Sequence, residues 1–427
     1  NHVFHGRDVQ EPGPDIKEGL QFAKILTEAG YDALNVDAGS YDAWYWAHPP
    51  FFHERGLYLP FAQKVKEVVD VPVLTAGRMG YPELAAKAVN ENLCDMVVLG
   101  RPLLADPDFV NKMRLDKEAD IRPCLSCHDG CFGRAHQMRL MSCAVNPRCN
   151  RERETAFTKA EEKKSILIIG GGPAGMEAAR VSALRGHDVT LVEKEDHLGG
   201  MYTWASVPEF KDDGKLLIKW YEHQMKELNV HVSLKDEIKA DDLRIKDADV
   251  VICATGSHAF LPPIEGLNNA YTAVDVLKGE KHIDKHAVII GGGLVGCELA
   301  IWLAQQGKKT TIVEMADKLM STGAPADMNI QMIMELLEHY HTDIHLNAKL
   351  TKVEEGKIFV NENGETKELL ILINGEMINE VSFDKSKTTT VSCEAFEKSI
   401  ILECRAKDFI KVMEDDFALT KNILVHT

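Results

Sequence analysis

The chain has 427 residues, of which 45% are hydrophobic and 27% charged, and its formal net charge is −17. This is the composition of an ordinary globular chain of roughly two to four domains; its acidic surplus argues against a nucleic-acid partner, because no basic surface is available to displace counterions from phosphates. No run approaches the ~20 apolar residues that span a bilayer, and residues 1–8 lack the basic and apolar regions of a signal peptide, so no membrane association and a cytoplasmic location are expected.

The sequence opens without Met, and its first residues read like the interior of a domain. Residues 15–29 carry apolar positions at Ile16, Leu20, Ala23 and Leu26, with Gly30 as a stop signal, and predict a helix. Residues 32–37 read as a strand. Pro60 opens a helix with Val65, Val68 and Val69 on one face. Residues 71–76 form the next strand, Pro82 opens another helix, and residues 95–99 form a further strand. Repeated β/α units with continuous apolar strands imply a parallel sheet covered by helices.

Residues 121–155 break this rhythm. Ten cysteines are present in the chain, and four of them, Cys124, Cys127, Cys131 and Cys143, follow the pattern C-x2-C-x3-C-x11-C. Clustering in a long chain points to metal ligation in a reducing compartment rather than to a disulfide framework. Four thiolates suit an iron–sulfur cluster or structural zinc. Zinc ribbons favour two separated C-x2-C pairs, so the crowding of the first three cysteines favours iron–sulfur, and neighbouring flavin domains would give a redox-active group something to do. Cys149 lies beyond the set and is not counted as a ligand. Cys94, Cys253 and Cys297 fall in predicted strands or helices and are expected in the core.

After the charged stretch 151–164, an apolar strand from Ser165 leads into Gly170, Gly172, Pro173, Ala174 and Gly175. The first glycine permits the tight turn, the second lets backbone approach a pyrophosphate, and the third lets the helix pack on the strand. A second strand ends at Glu193, placed to hold ribose hydroxyls. The pattern recurs from residue 288 with Gly291, Gly293 and Gly296, and its second strand ends at Glu314. Such a repeat is an internal duplication of a dinucleotide-binding unit. Glu314 is followed by Met315 and Ala316, with no arginine to receive a 2′-phosphate, which favours NADH over NADPH. Two units in one chain suggest a flavin disulfide-reductase-like arrangement, one FAD site with an NADH domain inserted. Ala254, Thr255 and Gly256 resemble the turn that closes the FAD domain in that group, and Gly199 and Gly200 resemble its glycine pair beside the flavin.

In its order of motifs the chain resembles the 2-enoate reductases and their relatives among the NADH:flavin oxidoreductases, including 2,4-dienoyl-CoA reductase, trimethylamine dehydrogenase and the bile-acid-inducible enzymes. The resemblance covers roughly residues 1–360. It implies an α/β fold: the carboxy-terminal strands of an FMN-binding TIM barrel, an iron–sulfur loop, then two Rossmann-like domains of the flavin disulfide-reductase type. Gly77 with Arg78 and Gly100 with Arg101 end two strands and resemble the family's FMN-phosphate contacts; a surface salt bridge is the other reading of Arg78. The aromatic loop at residues 39–50 would line a substrate or flavin pocket, or serve as packing.

The expected division is a partial barrel at 1–120, an iron–sulfur segment at 121–155, an FAD-binding domain at 156–284, an NADH-binding domain at 285–363, and a divergent tail at 364–427. The family's proton donor lies in barrel strands without counterpart here, so no catalytic acid is assigned. The glycine–aspartate turn that the returning FAD segment supplies has no match in the tail. The resemblance implies NADH, FAD, a [4Fe-4S] cluster and FMN as an electron chain that reduces the C=C bond of an α,β-unsaturated carboxylate or enone, steroid enones and dienoyl-CoA esters included. A diaphorase module serving a separate barrel subunit, an inactive fragment, and a homo-oligomer remain open alternatives.

Overall fold

The computed structural model describes residues 15–370 apart from 41, 323–325, 355–356 and 363–364. Its described residues form two compact units, one of residues 15–261 and 269–346, the other of 262–268 and 347–370. The expected tail lies outside the described residues from 371 onward.

The first unit opens with α1 (Ile16–Glu28), started by a capping box in which Asp15 accepts from the N–H groups of Lys17 and Glu18 and the Glu18 side chain accepts from Asp15. Then follow β1 (Leu34–Val36), α2 (Trp44–Ala47), α3 (Leu59–Lys66), β2 (Val73–Thr75), α4 (Pro82–Asn90), β3 (Met96–Val97), α5 (Arg101–Ala105) and α6 (Phe109–Arg114). The three strands pair in parallel in the order β1-β2-β3, and Pro60 and Pro82 sit in the first turns of α3 and α4. Leu34, Ala62, Val65, Val73, Ala88 and Cys94 form the core beneath them.

The cysteine segment has one short helix, α7 (Phe132–His136), among irregular backbone. Left-handed residues flank Cys127, Ser126 at φ 52° and His128 at φ 63°. Non-glycine residues rarely take that conformation, and here it folds the loop tightly enough to bring Cys124, Cys127 and Cys131 to one cavity.

Two parallel sheets follow. The first comprises β4 (Ser165–Ile169), α8 (Pro173–Leu184), β5 (Asp188–Glu193), α9 (Met201–Ala205), α10 (Asp212–Glu227), β6 (His231–Leu234), α11 (Leu243–Asp247) and β7 (Val250–Cys253), with strand order β6-β5-β4-β7. The second comprises α12 (Ala273–Leu277), β8 (His286–Ile290), α13 (Leu294–Gln305), β9 (Lys309–Val313), α14 (Asp327–His339) and β10 (Asp343–His345), ordered β10-β9-β8. Cys94 and Cys297 are buried as expected. Cys253 is exposed instead: it ends β7 at the sheet edge, where no strand covers it among the described residues.

The aromatic loop takes the packing role. Tyr45 on α2 is buried in the core of the second sheet beside Ile333 and Leu336, and its hydroxyl donates to Glu335 on α14 at 2.5 Å. Trp44 meets His136 edge-on at 4.9 Å between ring centroids. The loop after β1 is thus pinned to α14.

The second unit is an antiparallel meander of β11 (Ala348–Glu354), β12 (Lys357–Glu362) and β13 (Glu365–Leu370). Glu265 bridges in parallel to Lys352, and the Val353 N–H donates to the Glu265 carbonyl at 2.8 Å.

Candidate cofactor sites

The two glycine loops repeat each other atom by atom. Gly170 takes φ 109° and Gly291 takes φ 105°. A Cβ on Gly175 would lie 1.9 Å from the Gly170 carbonyl oxygen, and one on Gly296 would lie 2.0 Å from that of Gly291. Only glycine lets each helix approach its strand so closely. By contrast, a Cβ on Gly172 or Gly293 would meet nothing within 4 Å. Both are N-caps of 12-residue helices, α8 and α13, with Pro173 and Ala174 continuing the first. The backbone is therefore bare where unpaired N–H groups and the positive helix end favour a phosphate.

Glu193 is buried and accepts from the Gly171 N–H at 2.6 Å and the Glu195 N–H at 2.9 Å. Glu314 does the same with Gly292 and Ala316, both at 2.7 Å. Each carboxylate thus ties its strand end to its glycine loop, and each oxygen keeps a lone pair for a further donor such as a hydroxyl. The Gly199 N–H donates to the Gly171 carbonyl at 2.9 Å, and that of Met320 to the Gly292 carbonyl at 2.8 Å. Every matched residue stands 121 positions after its counterpart, as Gly291 does to Gly170 and Glu314 to Glu193. Sequence reasoning overlooked Gly171 and Gly292, and this constant offset was the signal that could have found them.

The first loop has extra neighbours. A Cβ on Gly170 would lie 2.3 Å from the Ala254 carbonyl oxygen, so the turn of Ala254, Thr255 and Gly256 abuts the loop. A Cβ on Gly200, at φ 53°, would lie 3.1 Å from the Gly172 Cα. Gly199 and Gly200 therefore close on the same bare backbone.

The four cysteines line one small, partly open cavity, together with Arg101, Leu104, His128 and their loop neighbours. Cys143 is held there because Gly130 presses on its backbone: a Cβ on Gly130 would lie 2.8 Å from the Cys143 Cα. The Ser126 N–H points at the Cys124 sulfur at 3.5 Å. Burial pushes the Cys124 thiol up to about 11, the Cys127 thiol well above its ordinary value, and the Cys131 thiol upward. A bound cation would reverse this by stabilising the thiolates. Among the described residues no three His, Cys, Asp or Glu side chains converge as a single ion requires. Cys149 is buried but does not line the cavity.

The two Gly-Arg pairs part company. Arg101 lines the cysteine cavity, and among the described residues its Nη1 alone is engaged, with the Pro49 carbonyl at 2.9 Å and His128 at 2.6 Å. The Arg78 guanidinium forms a buried ion pair rather than a surface one. The side chain is buried. It donates to Asp213 on α10 at 2.6 Å, to the Tyr81 hydroxyl at 2.9 Å, to the Phe51 carbonyl at 3.0 Å and to the His53 carbonyl. Both partners of the Arg78–Asp213 pair are dehydrated and in contact, which strengthens it. The Arg78 backbone takes φ 54° beside Gly77 at 84°, and the buried Arg78 Nε has no hydrogen-bond partner among the described residues.

Known proteins agree with this architecture. The pattern of the pyridine nucleotide-disulphide oxidoreductase family matches residues 164–390, and that of the NADH:flavin oxidoreductase / NADH oxidase family matches residues 4–120. Cinnamate reductase of Clostridium sporogenes is 49% identical over 84% of this chain and 54% of its own length. NADH oxidase of Thermoanaerobacter brockii is 38% identical over 82% of this chain and 54% of its own. Bilirubin reductase of Mediterraneibacter gnavus is 33% identical over 96% of this chain, well past residue 360, and 64% of its own. The chain spans about half the length of the first two. The solved structure of 2-naphthoyl-CoA reductase superposes with a TM-score of 0.78 at 30% identity, over 83% of this chain and 54% of that one. The chain belongs to the NADH:flavin oxidoreductases of 2-enoate reductase type, whose members use FAD, FMN, a [4Fe-4S] cluster and NADH.

Proposed function

We propose that this chain is the electron-delivering part of an NADH-dependent reductase acting on the C=C bond of an α,β-unsaturated carboxylate or enone. The observation that carries the reading is the joining, in one unit, of two matching dinucleotide loops to a cavity lined by four cysteines and a barrel arginine. When bound, FAD, a [4Fe-4S] cluster and FMN supply hydride acceptance from NADH, single-electron relay and delivery to the alkene.

The residues divide the work. Gly170, Gly172, Pro173, Ala174 and Gly175 offer bare backbone and a helix end to the FAD pyrophosphate, with Glu193 turned to its ribose. Gly199, Gly200, Ala254, Thr255 and Gly256 close on that loop and give the first site its flavin character. Gly291, Gly293, Gly296 and Glu314 repeat the cradle for NADH. Cys124, Cys127, Cys131 and Cys143 are the cluster ligands; the crowding of the first three in sequence favours a polynuclear group over a single zinc ion. The backbone at Gly77, Arg78, Gly100 and Arg101 holds the FMN phosphate end. The chain divides at about residues 120, 155, 284 and 363, as its motifs suggest. The similarity to cinnamate reductase supports an enoate as substrate. No described helix is long and apolar enough to cross a membrane; the clustered cysteines suit a reducing compartment, and we place the enzyme in the cytoplasm on that ground. A homo-oligomer or a separate barrel subunit is the macromolecular partner to look for.

The test is anaerobic purification of the chain followed by iron, sulfide and flavin analysis. Equal iron and sulfide, bound FAD and NADH-dependent dye reduction are expected, with cinnamate-type enoates reduced once all barrel strands are present. A folded chain with neither iron nor flavin overturns the reading. Dye reduction with no enoate reduction by the complete enzyme points instead to a diaphorase.

A further inference from the structure

One buried imidazole in the cysteine loop has no place in the ligand set. His128 is 1% exposed. Its Nδ1 lies 3.0 Å from Asn329 Oδ1, and its Nε2 lies 2.6 Å from Arg101 Nη1. Asn329 Nδ2 donates to the Cys127 carbonyl at 2.9 Å. That carbonyl needs a donor, which fixes the orientation of the amide. Oδ1 can only accept, so His128 carries its hydrogen on Nδ1 and leaves Nε2 to accept from Arg101.

The geometry has direction. One buried side chain on α14, in the second dinucleotide-type sheet, clasps two successive residues of the cysteine loop. The second of these holds a guanidinium, and the guanidinium lines the cavity that the four cysteines surround. The Pro49 carbonyl steadies the same nitrogen at 2.9 Å. Arg101 Nε and Nη2 make no hydrogen bond among the described residues.

We propose that Asn329 and His128 are positioning residues that hold the Arg101 charge against the cysteine cavity and so raise the reduction potential of the group bound there. The inference rests on the iron–sulfur reading above. Reduction adds one electron from an external reductant, moves no atom, and makes the cluster one charge more negative. A fixed cation in a poorly screened site stabilises the reduced form more than the oxidised form. Without Asn329, His128 can shift its hydrogen to Nε2, where it would face Arg101 donor to donor and displace it.

The test is a potentiometric titration of the anaerobically purified chain, with the reduced cluster followed by electron paramagnetic resonance. Asn329→Leu keeps the number and branching of the side-chain heavy atoms, removes the polar ones, and lies outside the cavity lining. It is expected to lower the reduced-to-oxidised ratio at fixed potential about tenfold, which is about 59 mV for a one-electron couple. Arg101→Gln is expected to shift the midpoint at least as far in the same direction, and Arg101→Lys by less. In the double variant the Asn329→Leu effect should vanish, because it acts through Arg101. Iron-loaded Asn329→Leu with the wild-type midpoint overturns the proposal, even if Arg101→Gln fails to take up iron. So does a full Asn329→Leu shift that persists in the Arg101→Gln background. A folded wild-type chain without iron is a different failure, that of the cluster reading itself.

Discussion

Asp213 receives Arg78 at 2.6 Å, Arg55 at 3.1 Å and the Tyr81 hydroxyl at 2.7 Å, all from the barrel strands' side of the molecule. Removing one partner of a buried ion pair leaves the other charge dehydrated and unpaired. Asp213→Ala is expected to cost about 3 kcal/mol in chemical denaturation, and an unchanged midpoint would show that the pair is not holding these elements together. His53 stacks on Tyr45 in the same region, and its Nε2 has no hydrogen-bond partner among the described residues. Burial, then the Arg78 charge, lowers its pKa from 6.5 to about 4. The unfolded chain therefore binds the proton first as pH falls, so stability drops between pH 6.5 and 4 and is fully retained above that window. A His53→Leu variant should lose roughly 3 kcal/mol of that slope; equal slopes in variant and wild type would count against it. Neither role was legible in the sequence. Arg78 stood out as half of a Gly-Arg pair, but its partner lies 135 positions away, and no local pattern announces such a pairing.

Elements whose information is local were read well. The glycine loops need tight turns and close helix–strand packing within about 30 residues, so spacing alone revealed both copies. Pro60 and Pro82 marked helix starts for the same reason. Gly296→Val places side-chain carbon where the Gly291 carbonyl oxygen already sits. It is expected to raise the Kd for NADH at least tenfold while the FAD content stays unchanged; Gly175→Val should do the reverse, losing flavin first. Titrating NADH fluorescence against released FAD separates the two, and parallel losses in both variants would argue against independent cradles. The aromatic loop was harder, because an aromatic stretch fits a pocket wall and a packing surface equally. Only the Tyr45 contact with α14 shows which one it is.

At the scale of the molecule the order of parts was legible, and the joints between them were not. The cysteine loop meets α5 through Arg101, α14 through Asn329 and the first dinucleotide core through Cys124, Leu125 and Cys143. A loop with so little regular structure is expected to gain rigidity from a cluster bound by its thiols. Removing iron with a chelator after oxidation is therefore expected to lower the Tm of the entire first unit. Calorimetry on iron-loaded and stripped protein checks this, and coincident transitions would mean that the loop is self-supporting.

The matched loops carry one more consequence. A tightly held prosthetic group must survive thousands of turnovers, whereas a coenzyme must leave after each one. Yet the two phosphate cradles here offer the same turn, the same bare glycine and the same tethered carboxylate. Residence time is then decided elsewhere: Gly199 and Gly200 fold over the first cradle, and Met320 and Ser321 stand at the equivalent positions of the second. Exchanging those two dipeptides should trade retention for release without altering either cradle.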